Sequence, residues 1–270
     1  MGLIIASIGY FQIYLYGLLV VAAVLLGMFA VWLNTRLQGE SFAPVWDFLL
    51  WGLPAGLIMA RLVYVGRHWE LYAQHPENIL CLWQGGISFY GGAAGFLLAM
   101  IFCCYWKGLD VWYWLDLMIP GIILGTAVSE FGNFVTQMTV GMPLPANLPN
   151  DHTLAEYIEF RYRPSGFENY EYFHPVALYQ MGLQLLVLLL TAVLTFWQLR
   201  TGRFRRGCIF LLAVIFLALI RFGCGFFYLS TQAPFTIHIG QWIALFFAAA
   251  ALVLFFWRMH GRRAGLFYRY

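Results

Sequence analysis

Three charged residues stand inside or at the edge of long apolar runs. Arg61 interrupts WGLPAGLIMARLVYV, and Arg221 interrupts IFLALIRFGCGFF. Glu130 closes GIILGTAVSE and leads straight into Phe131-Gly132-Asn133-Phe134, before a Gly141-Met142-Pro143 turn. A charge at the centre of a membrane helix costs roughly 2.5–3.5 kcal/mol on insertion scales, so it needs a partner or a task. A guanidinium suits phosphate, because its planar fork donates two parallel hydrogen bonds. Arg61 can snorkel to head groups or hold an anion, and Arg221, deeper in its run, calls for a partner in the bundle or a phosphate-bearing lipid. Glu130 is either an ion-pair partner for these arginines or a general base, and pairing with an arginine would weaken it as a base.

Three further stretches carry polar groups. In Leu82-Trp83-Gln84-Gly85-Gly86-Ile87-Ser88-Phe89-Tyr90-Gly91-Gly92, four glycines and Ser88 enter an apolar run together. Glycines allow close helix packing in a membrane, and here they also allow a head group near backbone donors. Tyr90 is a hydrogen-bonding group or an interfacial aromatic. His174-Pro175 opens another run, with proline suited to a first helical turn. Asp116 reads as a polar anchor or a local cap. The five cysteines include no Cys-x-x-Cys pair, and the histidines lack metal-ligand spacing, so no metal or cofactor is expected.

The elements that must position these residues are membrane helices. The chain of 270 residues is 62% hydrophobic and 10% charged, far from soluble composition. Runs of about 20 apolar residues predict seven spans, near 11–33, 46–65, 87–106, 111–130, 176–199, 207–228 and 237–257. Pro120-Gly121 predicts a kink in the fourth. The N-terminus lacks a basic n-region and is read as the approach to a retained first span. Ten of the fifteen Lys and Arg residues fall in one set of loops and three in the other, which places the N-terminus outside and the C-terminus in the cytoplasm. The net charge of +3, without a basic arm, excludes a nucleic-acid partner. The fold class is therefore an all-α membrane protein: a seven-helix bundle forming one integral membrane domain over 1–270. Residues 131–175 form a small external head segment, and its PLPANLPNDH stretch is irregular.

In this order the motifs resemble the bacterial prolipoprotein diacylglyceryl transferase family. Tyr16-Gly17 is similar to the family's Tyr-Gly in the first span, and Ala60-Arg61-Leu62-Val63-Tyr64 to its Gly-Arg-Ile-Gly-Tyr. Gly85-Gly86-Ile87-Ser88-Phe89 with Gly91-Gly92 resembles Gly-Gly-Met-Ser-Phe-His-Gly-Gly. Gly132-Asn133-Phe134, Gly141 and Pro143 resemble the Gly-Asn-Phe signature, and His174-Pro175 with Leu178-Tyr179 resembles His-Pro-x-x-Leu-Tyr-Glu. Arg221 with Phe226-Phe227 resembles Phe-Arg-x-x-x-Glu-Phe-Phe, and Gly240-Gln241 resembles the last-span Gly-Gln. The resemblance implies transfer of diacylglycerol from a phospholipid, phosphatidylglycerol, to the lipobox cysteine thiol of a preprolipoprotein, in the bacterial cytoplasmic (inner) membrane. It implies catalytic roles at Arg221 and the positions of Glu130 and Tyr90. It implies lipid binding by Arg61, Gly132, Asn133, Tyr16, Gly85, Gly86, Ser88, Gly141 and His174.

Several positions depart from the family pattern. Tyr90 stands where the family has His, and Glu130 where it has Arg. Thr136 replaces an Asn, Met138 a Glu, Leu217 a Tyr, Gly225 a Glu and Gln180 a Glu. Two arginines facing a phosphate stabilise charge on the leaving group, whereas a glutamate there opposes Arg221. Two functions fit these residues. One is a transferase with an altered site. The other is a lapsed member acting as a lipid- or lipoprotein-binding membrane subunit.

Overall fold

The computed structural model describes residues 4–8, 11–74, 76–81, 85–144, 155–202, 204–229 and 238–260. Leu82, Trp83, Gln84, His75, most of the proline-rich stretch with Asp151 and His152, and the basic residues Arg203, Arg262, Arg263 and Arg269 lie outside these. Seven helices among the described residues are long and apolar enough to cross a membrane: α1 Leu15–Leu37, α2 Ala43–Arg67, α4 Phe89–Lys107, α5 Val111–Val135, α6 Val176–Thr201, α7 Cys208–Cys224 and α8 Ile239–His260. The seven expected spans are each present, with ends displaced by a few residues. The molecule is a multi-pass, mostly helical membrane protein, and α3 is a short helix over Trp69–Gln74.

Three differences from the sequence reading have physical causes. The approach to α1 is a β-hairpin, with β1 Ile4–Ile8 antiparallel to β2 Phe11–Tyr14. Each strand is too short to separate from the apolar helix that follows by hydropathy alone. The second difference is that α5, with Pro120 inside it, continues past residue 130 to Val135, so Phe131, Gly132 and Asn133 belong to its last turns. Third, α7 ends at Cys224, and a 3-10 turn over Gly225–Phe227 follows.

The chain forms two compact units, residues 35–115 and residues 1–34 with 116–270. In the first, α2 and α4 pack antiparallel through a glycine face. A β-carbon on Gly95 would stand 2.5 Å from the Ala55 carbonyl oxygen, and one on Gly91 2.6 Å from that of Met59. Only hydrogen fits at such a crossing, and in lipid this close backbone contact drives association. Ser88 caps α4 by accepting from the Gly91 amide, and Gly108 ends it in the left-handed conformation. Asp47 and Lys107 pair across these helices.

In the second unit, α1 meets α5 where Gly27 faces Gly121, and a β-carbon on Gly121 would stand 2.4 Å from the Gly27 carbonyl oxygen. Asn34 donates to the Leu117 carbonyl at 3.0 Å nearby. The core joins Ile119 and Ile123 of α5 to Val187 of α6 and to Ile209 and Ala213 of α7. Asp116 then sets the register of α7. Its buried carboxylate accepts from the Gly207 amide at 2.5 Å and the Phe210 amide at 2.8 Å. The expected anchor is thus an N-terminal cap for a different helix, at the positive end of its dipole.

The head segment is small. Strand β3, Glu156–Tyr157, pairs antiparallel with β4, Tyr172–Phe173, over the fully buried Ile158 and Phe173. Arg163 binds the carbonyls of Ile158 and Glu168.

Asp116→Ala leaves two amides at the start of α7 without their charged acceptor. It should lower unfolding free energy in detergent by about 3 kcal/mol, given the usual worth of hydrogen bonds to charged groups. Asp116→Asn, which keeps one acceptor, should lose less. A denaturant titration of the purified protein followed by far-UV circular dichroism measures both.

Candidate functional site

In the unit of residues 35–115 the polar centre is Arg61. Its side chain is only 4% exposed, and its five N–H donors meet five backbone carbonyls. Nε donates to Ile79 at 2.8 Å; Nη1 to Gly85 at 2.5 Å and Gly86 at 2.9 Å; Nη2 to Asn78 at 2.6 Å and Cys81 at 3.3 Å. The guanidinium also stacks on Tyr72, 5.2 Å from its ring centre. Gly85 and Gly86 have φ of 81° and 77°, a left-handed backbone that turns both carbonyls toward Arg61. Arg61, Gly85 and Gly86 are therefore brought together, by a buried cation holding a loop against α2. Ser88 and Tyr90 follow at the start of α4. Ser88 donates its amide to the Ala60 carbonyl at 3.0 Å, and Tyr90 is exposed.

The second group lies at the far ends of α5, α6 and α7 from the Asp116 cap. Glu130 accepts from the Asn133 side-chain amide at 3.0 Å, one turn further along α5. Gly132 is packed on the first span, and a β-carbon there would touch Leu19 and Tyr16 at 3.5 and 3.7 Å. The structure thus joins Tyr16 to Gly132, and Glu130 to Asn133. Thr136, one of the departures, is buried and donates its hydroxyl to the Gly132 carbonyl at 2.7 Å.

Arg221 lies in the last turn of α7 with its Nη1 3.3 Å from the Tyr228 hydroxyl and 3.5 Å from the Gln180 side-chain oxygen. Its guanidinium stacks 5.3 Å from the Tyr228 ring centre. Gln180 is 2% exposed and donates to the Tyr228 hydroxyl at 2.8 Å, closing the triangle. Tyr228 was missed by the sequence reading, and Gln180 was seen only as a departure. A buried amide one helical turn inside a Pro-started helix was the available signal. Burial pushes the Tyr228 phenol up; Arg221 pulls it back and Glu130 adds to the rise.

Gly141 ties these ends together. Met142 donates to Phe227, Leu229 to Val140, and His174 to Met142. A β-carbon on Gly141 would stand 2.2 Å from the His174 carbonyl oxygen, so only glycine lets the chain before α6 pass. His174 places Nδ1 3.3 Å from the Tyr179 hydroxyl and its ring 5.5 Å from that of Phe227. Burial lowers its pKa from the ordinary value, which keeps the imidazole neutral at pH 7. Gly225 makes similar room for Gln241, whose amide donates to the Phe222 carbonyl at 3.0 Å.

Below this cluster an apolar groove of about 900 Å³ runs between α6 and α7. Leu183, Leu186, Phe216, Leu219, Ile220 and Phe227 line it, and Gly182 and Gly223 widen it. Tyr179 and Cys224 complete its lining. An apolar groove of this size can receive one chain of an amphiphile. Among the described residues no group of His, Cys, Asp and Glu could hold a metal ion.

These features define a multi-pass membrane protein with an apolar groove between α6 and α7. The chain belongs to the prolipoprotein diacylglyceryl transferase family, whose model matches residues 3–257. It is similar to a protein named phosphatidylglycerol–prolipoprotein diacylglyceryl transferase from Limosilactobacillus reuteri (strain DSM 20016), at 29% identity over 93% of this chain and 89% of the relative. A protein of the same name from Synechocystis sp. (strain ATCC 27184 / PCC 6803 / Kazusa) is 35% identical over 74% of this chain and 68% of its own length. One from Trichormus variabilis (strain ATCC 29413 / PCC 7937) is 35% identical over 78% and 73%.

The head carries a titration of its own. Glu156 is 5% exposed, and its Oε1 has no hydrogen-bond partner among the described residues. Burial pushes its pKa from 4.5 to about 7. The folded state therefore holds a proton that the unfolded chain releases between those values, and stability falls as pH rises through about 7. Glu156→Gln should match the parent at pH 4.5 and exceed it by about 2 kcal/mol at pH 8. Thermal melts of both proteins across that range test it.

Proposed function

We propose that this chain transfers diacylglycerol from a glycerophospholipid to the thiol of a lipobox cysteine in a preprolipoprotein. Phosphatidylglycerol is the donor in its relatives' names. The observation that carries the reading is Arg221, held by Gln180 and Tyr228 where α6 begins and α7 ends, in a chain of this family. One acyl chain lies in the groove and the phosphate meets Arg221. The thiol sulfur attacks the glycerol carbon that bears the phosphate ester, and the carbon–oxygen bond breaks. The phosphate leaves with the bonding pair, its charge stabilised by the guanidinium. His174, its pKa lowered by burial, takes the thiol proton in this reading.

The remaining roles follow from contacts. Glu130 is fixed by Asn133 at the end of α5, and Tyr90 is an exposed hydroxyl in the unit of residues 35–115. Gly132 and Tyr16 pack the first span against the end of α5, and Gly141 fixes the His174 turn. Arg61, with Gly85, Gly86 and Ser88, acts through the loop it holds. The chain works as one integral domain of the bacterial cytoplasmic membrane, N-terminus outside, with residues 131–175 forming the external head.

The chain should restore lipid labelling of a lipoprotein in cells depleted of their own transferase. Arg221→Ala should reduce that rate by about 100-fold, the usual cost of removing one charge-stabilising donor. An unlabelled lipoprotein at normal expression would replace this reading with that of a lapsed, lipid-binding subunit.

A further inference from the structure

The loop that Arg61 holds lies below the end of its own helix. Asp47 of α2 pairs with Lys107 at the end of α4, which sets one polar level for this unit. Arg61 follows Asp47 by fourteen residues, and the exposed Arg67 follows it by twenty. At 1.5 Å per residue Arg61 stands about 21 Å from the Asp47 level and Arg67 about 30 Å from it. The hydrocarbon core of a bilayer is about 30 Å thick, so Arg67 marks its second surface and Arg61 sits about 9 Å beneath that surface.

The chain that leaves α2 returns to this depth. Asn78, Ile79, Cys81, Gly85 and Gly86 bring their carbonyls to the guanidinium, and the Ser88 amide donates to the Ala60 carbonyl at 3.0 Å. Helix α4 therefore starts at the level of Arg61, not at that of Arg67. Irregular backbone persists in the hydrocarbon region only where the protein matches its polar groups. One buried side chain does so here for five carbonyls, and they in turn offset the cost of its charge.

The outward side chains suit the same place. Leu80 is 81% exposed, Ile87 59% and Phe89 73%. No Asp, Glu, Lys or Arg stands between Glu77 and Lys107. Helix α4 accounts for only the last 19 residues of that stretch, yet the loop before it is uncharged as well. A loop in water has no need to avoid charge, whereas a loop among acyl chains does.

We propose that residues 78–81 and 85–89 form a re-entrant wedge, with Leu80, Ile87 and Phe89 among the acyl chains of one leaflet and Arg61 as its hydrogen-bonding hub. The partner is the acyl layer at the Arg67 end of α2. The wedge presents apolar groups to it and turns its carbonyls inward. All of these residues belong to the unit of residues 35–115, so the wedge stands whether or not the chain transfers diacylglycerol.

The test places the full chain in lipid nanodiscs that carry a nitroxide quencher either on the upper part of an acyl chain or on the head group. A genetically encoded fluorescent amino acid replaces Leu80, Phe89 or, as a comparison, Leu71 of α3, which lies beyond Arg67. At positions 80 and 89 the acyl nitroxide should quench at least about twofold more strongly than the head-group nitroxide, and at position 71 the order should reverse. Equal or stronger head-group quenching at position 80 or 89 overturns the wedge. Acyl-side quenching at position 71 as well would put the whole segment in lipid and overturns a depth set by Arg61. Arg61→Met leaves five carbonyls unmatched, so the loop should withdraw and the order at position 80 should reverse. Retained acyl-side quenching in an Arg61→Met protein of native helicity overturns the role given to Arg61. Where Arg61→Met does not fold, positions 80 and 89 of the otherwise unchanged chain still decide the depth.

Discussion

A lipid bilayer offers no water to a polar group, so each backbone or side-chain dipole inside it must find a protein partner. The bond on which the candidate site most depends is the Asp116 cap. By accepting from Gly207 and Phe210 it satisfies amides that α7 cannot satisfy internally, and it fixes where α7 begins beside α5. Every later residue of α7 inherits that register. Slide α7 by one residue and Arg221 turns about 100° around its helix, away from Gln180 and Tyr228. The chemistry at one end thus depends on a carboxylate at the other.

Arg61 and Arg221 illustrate two solutions to one problem. Arg61 is buried, and its fork is matched by five carbonyls from a loop that Gly85 and Gly86 bend into reach. Its full positive charge meets only partial negative charges, which suits a residue that holds structure. Arg221 is exposed and meets two neutral side-chain oxygens at 3.3 and 3.5 Å, long for charged hydrogen bonds. The difference in partners, more than the shared residue type, separates a cation matched by backbone carbonyls from one set among side chains at a helix end.

The seven spans were legible because bilayer thickness demands about 20 apolar residues, a property local to each stretch. The glycine-rich run before α4 was also legible, since glycines have few reasons to cluster at a span. What they do there was not: Gly85 and Gly86 serve a cation far back in sequence, and Gly91 and Gly95 serve carbonyls of α2. Asp116 read as a local cap for the same reason, because its partners lie on a helix beyond the head segment. Gln180 and Tyr228 were invisible as a pair, since the bond between them needs the fold of the last 3-10 turn. The β1–β2 hairpin was hidden by apolar residues that serve a strand and a membrane helix equally well.

Glu130 is where the two scales meet. Its sequence context, Phe131-Gly132-Asn133-Phe134, is that of the family signature, and the local fold keeps it: Gly132 still admits Tyr16 and Leu19, and Asn133 still points an amide along α5. Because Asn133 binds the carboxylate, the amide that would otherwise face a ligand is turned to hold the glutamate. Arg221 meanwhile retains a buried scaffold in Gln180, whose amide bridges to Tyr228 without adding a second negative charge. A glutamate at Gln180 would have set a full negative charge against Arg221 and reduced its pull on phosphate, which the neutral amide avoids.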